Sequence, residues 1–285
     1  TDEPLVVAKH QLRICSFNAL KLRLSNPTGK AHGDDDDDEN SVGYKGSAEG
    51  EQLTRKWLML AAVMSSYDVI VMQEIPGRAE LCDARMRVFH DMLHLATEPD
   101  RQWTAVHSLV SGKNGKTQGS GAEVHVAFVK SPLTIEKVYT WQSAGVAPSI
   151  LLDYAPLQVL ISDPNRPNFK LCLTSVHLPP SKPPERARQR DTQLNAILKG
   201  YWEEVRANWN LARTSKGKKD AGKAKDEVVH VISGDFNTFP GIVDADAEGT
   251  EIERYHLTRN DFVCTIPETA ATSVGKMNFD NLLVD

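Results

Sequence analysis

No run of apolar residues in this sequence approaches the roughly 20 needed to span a bilayer, so a transmembrane helix is not expected. The first ten residues, TDEPLVVAKH, hold neither a basic leader nor an apolar stretch, and no signal peptide is visible. A leader removed before Thr1 would leave no trace. Cysteine is scarce. The four present, Cys15, Cys82, Cys172 and Cys264, form no CxxC pair. A disulfide framework is therefore not expected, and buried thiols in an intracellular setting fit better. An excess of positive charge is also missing. The formal net charge is −5, which argues against coating nucleic acid by bulk electrostatics. It leaves room for an enzyme that grips phosphate with a cation and a local basic patch. No internal repeat at fixed period is visible.

The chain does have enough apolar content, 40% of 285 residues, for one substantial core. Two stretches stand apart. Residues 25–50 are rich in Asp, Gly, Ser and Asn, and Asp34 to Glu39 alone supply six carboxylates. Residues 213–226 carry six basic groups. Neither composition can bury enough apolar surface to offset its ordering entropy. Both are expected to be loop insertions within a single domain spanning 1–285. The acidic run lacks the ligand alternation of a calcium loop, and the lysine-rich run reads equally as a solvated linker or a contact to nucleic acid backbone.

Between these stretches the periodicity alternates between strand-like and helix-like segments. Strands are expected at 11–17, 68–72, 103–109, 123–130, 134–141, 156–162, 169–176, 228–232 and 279–284. Helices are expected at 51–66, 79–96 and 185–208, where apolar residues recur at helical spacing. This pattern fits an α/β or α+β sandwich.

Polar residues gather where four buried-looking strands end: Asn18, Glu74, His177, and Asp235 with Asn237. A strand end is a rigid place from which to aim a side chain into a cleft. Two carboxylates, two carboxamides and an imidazole suit phosphoryl transfer, because Mg²⁺ takes oxygen ligands, one or two of them carboxylates, and shares the rest with water and phosphate. Glu74 is the candidate metal ligand, with Asn18 beside it. Asp235 would align water or hold metal, and Asn237 would bind phosphate oxygen. His177 would act on the scissile phosphate if a carboxylate fixed its tautomer, and Asp280 is the candidate partner. Arg78 and Arg186 are candidate phosphate contacts, with Arg188 and Arg190 beside the latter. Each residue also has a plainer reading. Asp235 and Asn237 could be turn residues, His177 a histidine bonded to backbone, Asp280 a solvated edge residue, and the arginines a surface helix face. His107, His125 and His230 lie in apolar runs and read as packing or exposed strand residues, with His125 nearest the expected cleft rim.

The segments LRICSFNALKL (12–22), DVIVMQEIPG (68–77), LCLTSVHLPPS (171–181), VVHVISGDFNTFP (228–240) and ATSVGKMNFDNLLVD (271–285) occur in an order that resembles the endonuclease/exonuclease/phosphatase superfamily, and within it the DNase I-like nucleases. The resemblance implies a four-layer sandwich, two packed and mainly antiparallel sheets flanked by helices. It implies Mg²⁺ or Mn²⁺ as cofactor, held by Glu74, Asn18 and Asp235, and His177 as catalytic histidine paired with Asp280. It favours DNA as substrate; RNA, phosphoinositides and sphingomyelin are the alternatives. The family pattern continues past the last strand into a Ser-Asp-His segment, and this sequence stops at Asp285. The family's glutamate on the strand matched by 124–130 aligns with Val124, and Glu123 falls one residue early. A one-residue slip reverses side-chain direction on a strand, so Glu123 is not expected to replace it. These two departures motivate a second expectation, a catalytically impaired nuclease fold serving as a subunit of a larger assembly. A third is a lipid or inositol phosphatase or a sphingomyelinase-like phosphodiesterase.

Overall fold

The computed structural model describes residues 11–19, 48–76, 79–112, 122–141, 152–180, 183–200, 227–241, 243–245, 251–253, 255, 263–265 and 280–284. Along the chain these form β1 (Ile14–Asn18), α1 (Ala48–Met64), β2 (Val69–Pro76), α2 (Ala79–Leu95), β3 (Trp103–His107), β4 (Ser111–Gly112), β5 (Ala122–Lys130), β6 (Thr134–Thr140), β7 (Leu157–Asp163), β8 (Arg166–His177), α3 (Pro184–Gly200), β9 (Glu227–Asp235), β10 (Val243–Ala245), β11 (Glu251–Glu253), β12 (Val263–Cys264) and β13 (Asp280–Val284). α1 begins three residues inside the stretch expected to be the acidic loop. The rest of that loop, the lysine-rich segment, Arg78 and the end of the expected helix 185–208 lie outside the described residues. No helix among the described residues is long and apolar enough to cross a membrane.

Two sheets carry the fold. The first runs β1-β2-β5-β3, with β4 also on β5; the second runs β12-β13-β9-β8-β7-β6. Each contains one parallel pair, β1 with β2 and β8 with β9, and its other pairs are antiparallel. Strand parity sorts the side chains into layers. On one face of the first sheet, Ile70, Met72, Val124, Val126 and Phe128 meet Trp57, Ala61 and Met64 of α1 and Phe89 and Leu93 of α2. On the outer face of the second, Cys172, Val176 and Ile232 meet Leu194, Ile197 and Leu198 of α3. The opposite parities, Val69, Val71, Ala127, Val129, Leu171, Leu173 and Val231, form an apolar layer between the sheets. Helices, sheet, sheet and helix are thus stacked in four layers, as the family resemblance implied.

Each buried strand reads as continuously apolar in its middle because both of its faces are covered. At one end of the sandwich the inner faces change character. Ser16, Gln73, His125, Ser175 and Ser233 continue the inward-facing parity of β1, β2, β5, β8 and β9. Gln73 Nε2 donates to Ser175 Oγ at 2.9 Å, and His125 Nδ1 lies 3.0 Å from that same hydroxyl. A polar layer therefore sits on the apolar one, and the candidate site lies on top of it.

Gly234 sets how closely β8 and β9 approach there. Its φ is +143°, and a Cβ would stand 1.9 Å from the carbonyl oxygen of Val176, its register partner. Gly234→Ala is expected to cost roughly 3 kcal/mol or more, from backbone strain and overpacking together. A urea titration of the two proteins measures this, and equal midpoints would show that the strands can separate freely.

Candidate functional site

Five side chains from five strands converge. Asn18 ends β1, Glu74 lies near the end of β2, His177 ends β8, Asp235 ends β9, and Glu123 stands at the start of β5. β5 runs antiparallel to β2, so its beginning meets the end of β2, with Pro76 opposite Glu123. His177 and Asp235 are register partners across the parallel pair β8 and β9.

Glu74 reaches the cleft through a bulge. Met72 pairs with Val126 and Ile75 with Val124, so β2 spends one more residue than β5 over the same span. Without that extra residue, alternation would turn Glu74 toward the helices. With it, Ile75 resumes the helix-facing parity and joins that core, and Glu74 is released to the cleft side. Glu74 sits at φ 58°, a left-handed conformation that costs a residue with a Cβ about 1 kcal/mol or more.

The contacts are short. Asn18 Nδ2 donates to Glu74 Oε1 and to Asp235 Oδ2, both at 2.8 Å. His177 Nδ1 lies 2.6 Å from Glu123 Oε1, and His177 Nε2 lies 3.6 Å from Glu74 Oε1. The Glu74 backbone amide donates to the Glu123 carboxylate. Asn237, at φ 52°, donates its backbone N–H to Asp235 Oδ1 at 2.8 Å and its Nδ2 to the Leu178 carbonyl at 2.7 Å. The Tyr154 ring stacks on His177, with centroids 4.4 Å apart and planes 6° from parallel.

Three expectations are corrected here. The imidazole is held by Glu123, not by Asp280. Asp280 is the register partner of Asp235 on β13, on the far side of β9 from His177; two strand spacings, roughly 10 Å of backbone, separate Asp280 from His177. Glu123 does face the site. It shares the parity of Ala127 and Val129 in the layer between the sheets, whereas Val124 belongs to the helix-facing core. The one-residue offset thus places the carboxylate on the correct side. The third correction concerns arginine. Arg186 pairs with the buried Asp153 at 2.6 Å, Arg190 donates to Asp191 and Arg188 lies 3.7 Å from Glu185, so each of the three arginines already has a carboxylate partner. His125 is fully buried, and burial pulls its pKa down to about 3, so it is neutral. His230 is likewise buried.

Burial governs the electrostatics. It pushes the carboxyl groups of Glu123 and Asp235 above the ordinary range, against the pull of His177. Burial also opposes a charge on His177, but Glu123, Asp235 and Glu74 outweigh it and raise the imidazole to about 9. His177 is therefore a cation that can donate from Nε2. Three carboxyl groups, those of Glu74, Glu123 and Asp235, thus gather around one imidazole. Ligand atoms of Glu74, His177 and Asp235 all lie within 4.8 Å of one another. Clustered carboxyl oxygens fit a hard divalent cation. The carboxylates of Glu74 and Asp235 would hold it, with the Asn18 carboxamide alongside. His177 completes the cluster by position.

No family model matches the sequence, and no curated protein is similar to it in sequence. Solved structures do resemble the fold. ANGEL2, described as a 2′,3′-cyclic phosphatase, superposes with a TM-score of 0.53 at 14% identity, over 96% of this chain and 82% of its own. An endonuclease/exonuclease/phosphatase from Beutenbergia cavernae DSM 12333 superposes with a TM-score of 0.51 at 13% identity, over 96% of this chain and 64% of its own. The chain has the endonuclease/exonuclease/phosphatase fold, the DNase I-like α+β sandwich.

Proposed function

We propose that this protein is a divalent-metal-dependent phosphodiesterase, with Mg²⁺ or Mn²⁺ as cofactor and DNA as the favoured substrate. One observation carries the reading: Asn18, Glu74, Glu123, His177 and Asp235 converge from separate strands into one cluster of oxygen donors around an imidazole.

The cation, held by Glu74 and Asp235, would offset charge on the phosphate and polarise it. The protein's own groups supply the rest. Asp235 accepts hydrogen bonds from Asn18 and Asn237, so its carboxylate is fixed in direction and can align a water for in-line attack. His177 directs its protonated Nε2 into the cleft. There it stabilises the charge growing on a phosphate oxygen, or hands a proton to the departing alkoxide. Glu123 keeps that proton available by holding the imidazolium. A nucleophile aligner and an acid supported by separate carboxylates favour a catalytic site over an impaired module. DNA is favoured because 271–280 resembles the corresponding DNase I segment. The fold similarity to a cyclic phosphatase places cyclic phosphodiesters on the same test.

The test incubates the protein with supercoiled plasmid, an oligoribonucleotide, a 2′,3′-cyclic nucleotide and a bis-aryl phosphate, with Mg²⁺ or with EDTA. Plasmid nicking that needs Mg²⁺ and is lost in Asp235→Asn is expected. Hydrolysis of the cyclic nucleotide or RNA alone would keep the chemistry and replace the substrate. Inertness toward all four, or nicking that Asp235→Asn leaves intact, would overturn the reading.

A further inference from the structure

We propose that Tyr154 is a positioning residue that fixes the plane of the His177 imidazole, and that α3 holds it in place through Asp153; this rests on the phosphodiesterase reading.

The hydrogen bond to Glu123 fixes one edge of the imidazole. A ring held by one edge can still rock about that bond, and rocking swings Nε2 away from the cleft. A second ring lying 6° from parallel at 4.4 Å blocks the motion. An aromatic face also suits the cationic form of the ring it covers.

The segment carrying Tyr154 is gripped on both sides. Asp153 is fully buried. Arg186 forms an ion pair with its Oδ2 at 2.6 Å, Gln189 donates to its Oδ1 at 3.0 Å, and its backbone N–H reaches Gln193 Oε1 at 3.4 Å. On the other side the Ala155 amide donates to Ser111 Oγ at 2.7 Å. Arg186, Gln189 and Gln193 fall at helical spacing on one face of α3. Arg190, on the same face, donates to the Asn237 carbonyl at 3.1 Å. One polar stripe thus anchors both loops that border the site. A buried ion pair is a poor source of stability, because desolvation offsets most of its attraction; here Asp153–Arg186 specifies where Tyr154 stands. Burial holds the Tyr154 phenol up at about 12, so it stays neutral and the ring face is the working part.

The experiment compares Tyr154→Phe and Tyr154→Ala with the wild type. The alanine variant is expected to lose about 10- to 100-fold in kcat, the cost of a misplaced group, with KM nearly unchanged. The phenylalanine variant should keep wild-type turnover. The ring protons of His177, followed by NMR in labelled protein, should lie upfield in the wild type and Tyr154→Phe and return downfield in Tyr154→Ala. Wild-type kcat in Tyr154→Ala overturns the proposal, and so does Tyr154→Phe falling as far as alanine, which would assign the role to the hydroxyl. If the wild type hydrolyses no phosphodiester, the function reading fails and the NMR shifts alone decide the positioning; unchanged shifts in Tyr154→Ala overturn it. Tyr154→Leu, which keeps bulk without a π face, replaces alanine if that variant does not fold.

Discussion

Glu74→Gln is expected to lower phosphodiester turnover by about 10³-fold or more, and to leave the metal-free protein at least as stable as the wild type. The two effects have one cause. Glu74 is one of three carboxylates crowded around a single imidazolium, and without a cation their mutual repulsion works against the fold. Glutamine keeps an oxygen where Oε1 now accepts from Asn18 and removes one of the negative charges. The loss on the catalytic side follows from the cation. Charge stabilisation worth several kcal/mol corresponds to a thousandfold or more in rate at about 1.4 kcal/mol per decade. Binding adds a third signature. A ligand at a hundred times its Kd stabilises the folded state by about 2.7 kcal/mol; Mg²⁺ should raise the wild-type unfolding midpoint in this way and barely move that of Glu74→Gln. Urea titrations with and without Mg²⁺, beside the turnover assay, test all three. Full activity in the variant, or the same Mg²⁺-dependent stabilisation as the wild type, would remove Glu74 from the metal site.

Glu123→Gln should reduce turnover by about 10²-fold or more and change how stability varies with pH. His177 titrates at about 9 in the folded protein, above the roughly 6.5 of a free histidine. The folded state therefore favours the protonated ring. The stabilisation is complete below about pH 6.5 and disappears as pH rises through 9, and in full it amounts to about 3 kcal/mol. Glu123 is the leading group that raises the imidazole. Glutamine can still accept from Nδ1 but carries no charge. Glu123→Gln should accordingly be less stable than the wild type by roughly 2 kcal/mol at pH 6, with the gap closing as pH approaches 9 and beyond. Denaturation midpoints taken in EDTA from pH 6 to 10 supply the measurement. A gap that stays constant across that range would mean that Glu123 supports the site by packing, not by charge.

Glu123 also shows why part of the site was hidden in the sequence. The C-terminal ends of buried strands mark Asn18, Glu74, His177 and Asp235, because each strand loses its apolar character where it leaves the core. Glu123 comes from the beginning of an antiparallel strand, and no one-directional reading of strand ends can find it. Tyr154 carries no periodic signal, since it lies outside the regular elements, beside an Asp153 that is paired with α3. Asp280 was the natural partner for His177 by family order, but sheet order puts β9 between them. Arg186 at the start of α3 looks like a phosphate ligand until the buried Asp153 is placed beside it.

The sequence by itself determined the layers and the residue types gathered at the strand ends. Alternation and helical spacing sort each residue to a face, since local backbone geometry fixes side-chain direction, and the residue types at the strand ends limit what the site can bind. Pairing needed the tertiary structure. Which carboxylate holds His177, how the bulge turns Glu74 into the cleft, and what stands against the imidazole ring are set by strand order, strand direction and one extra residue on β2. Those are contacts between residues up to 217 apart in the chain, and no local pattern encodes them.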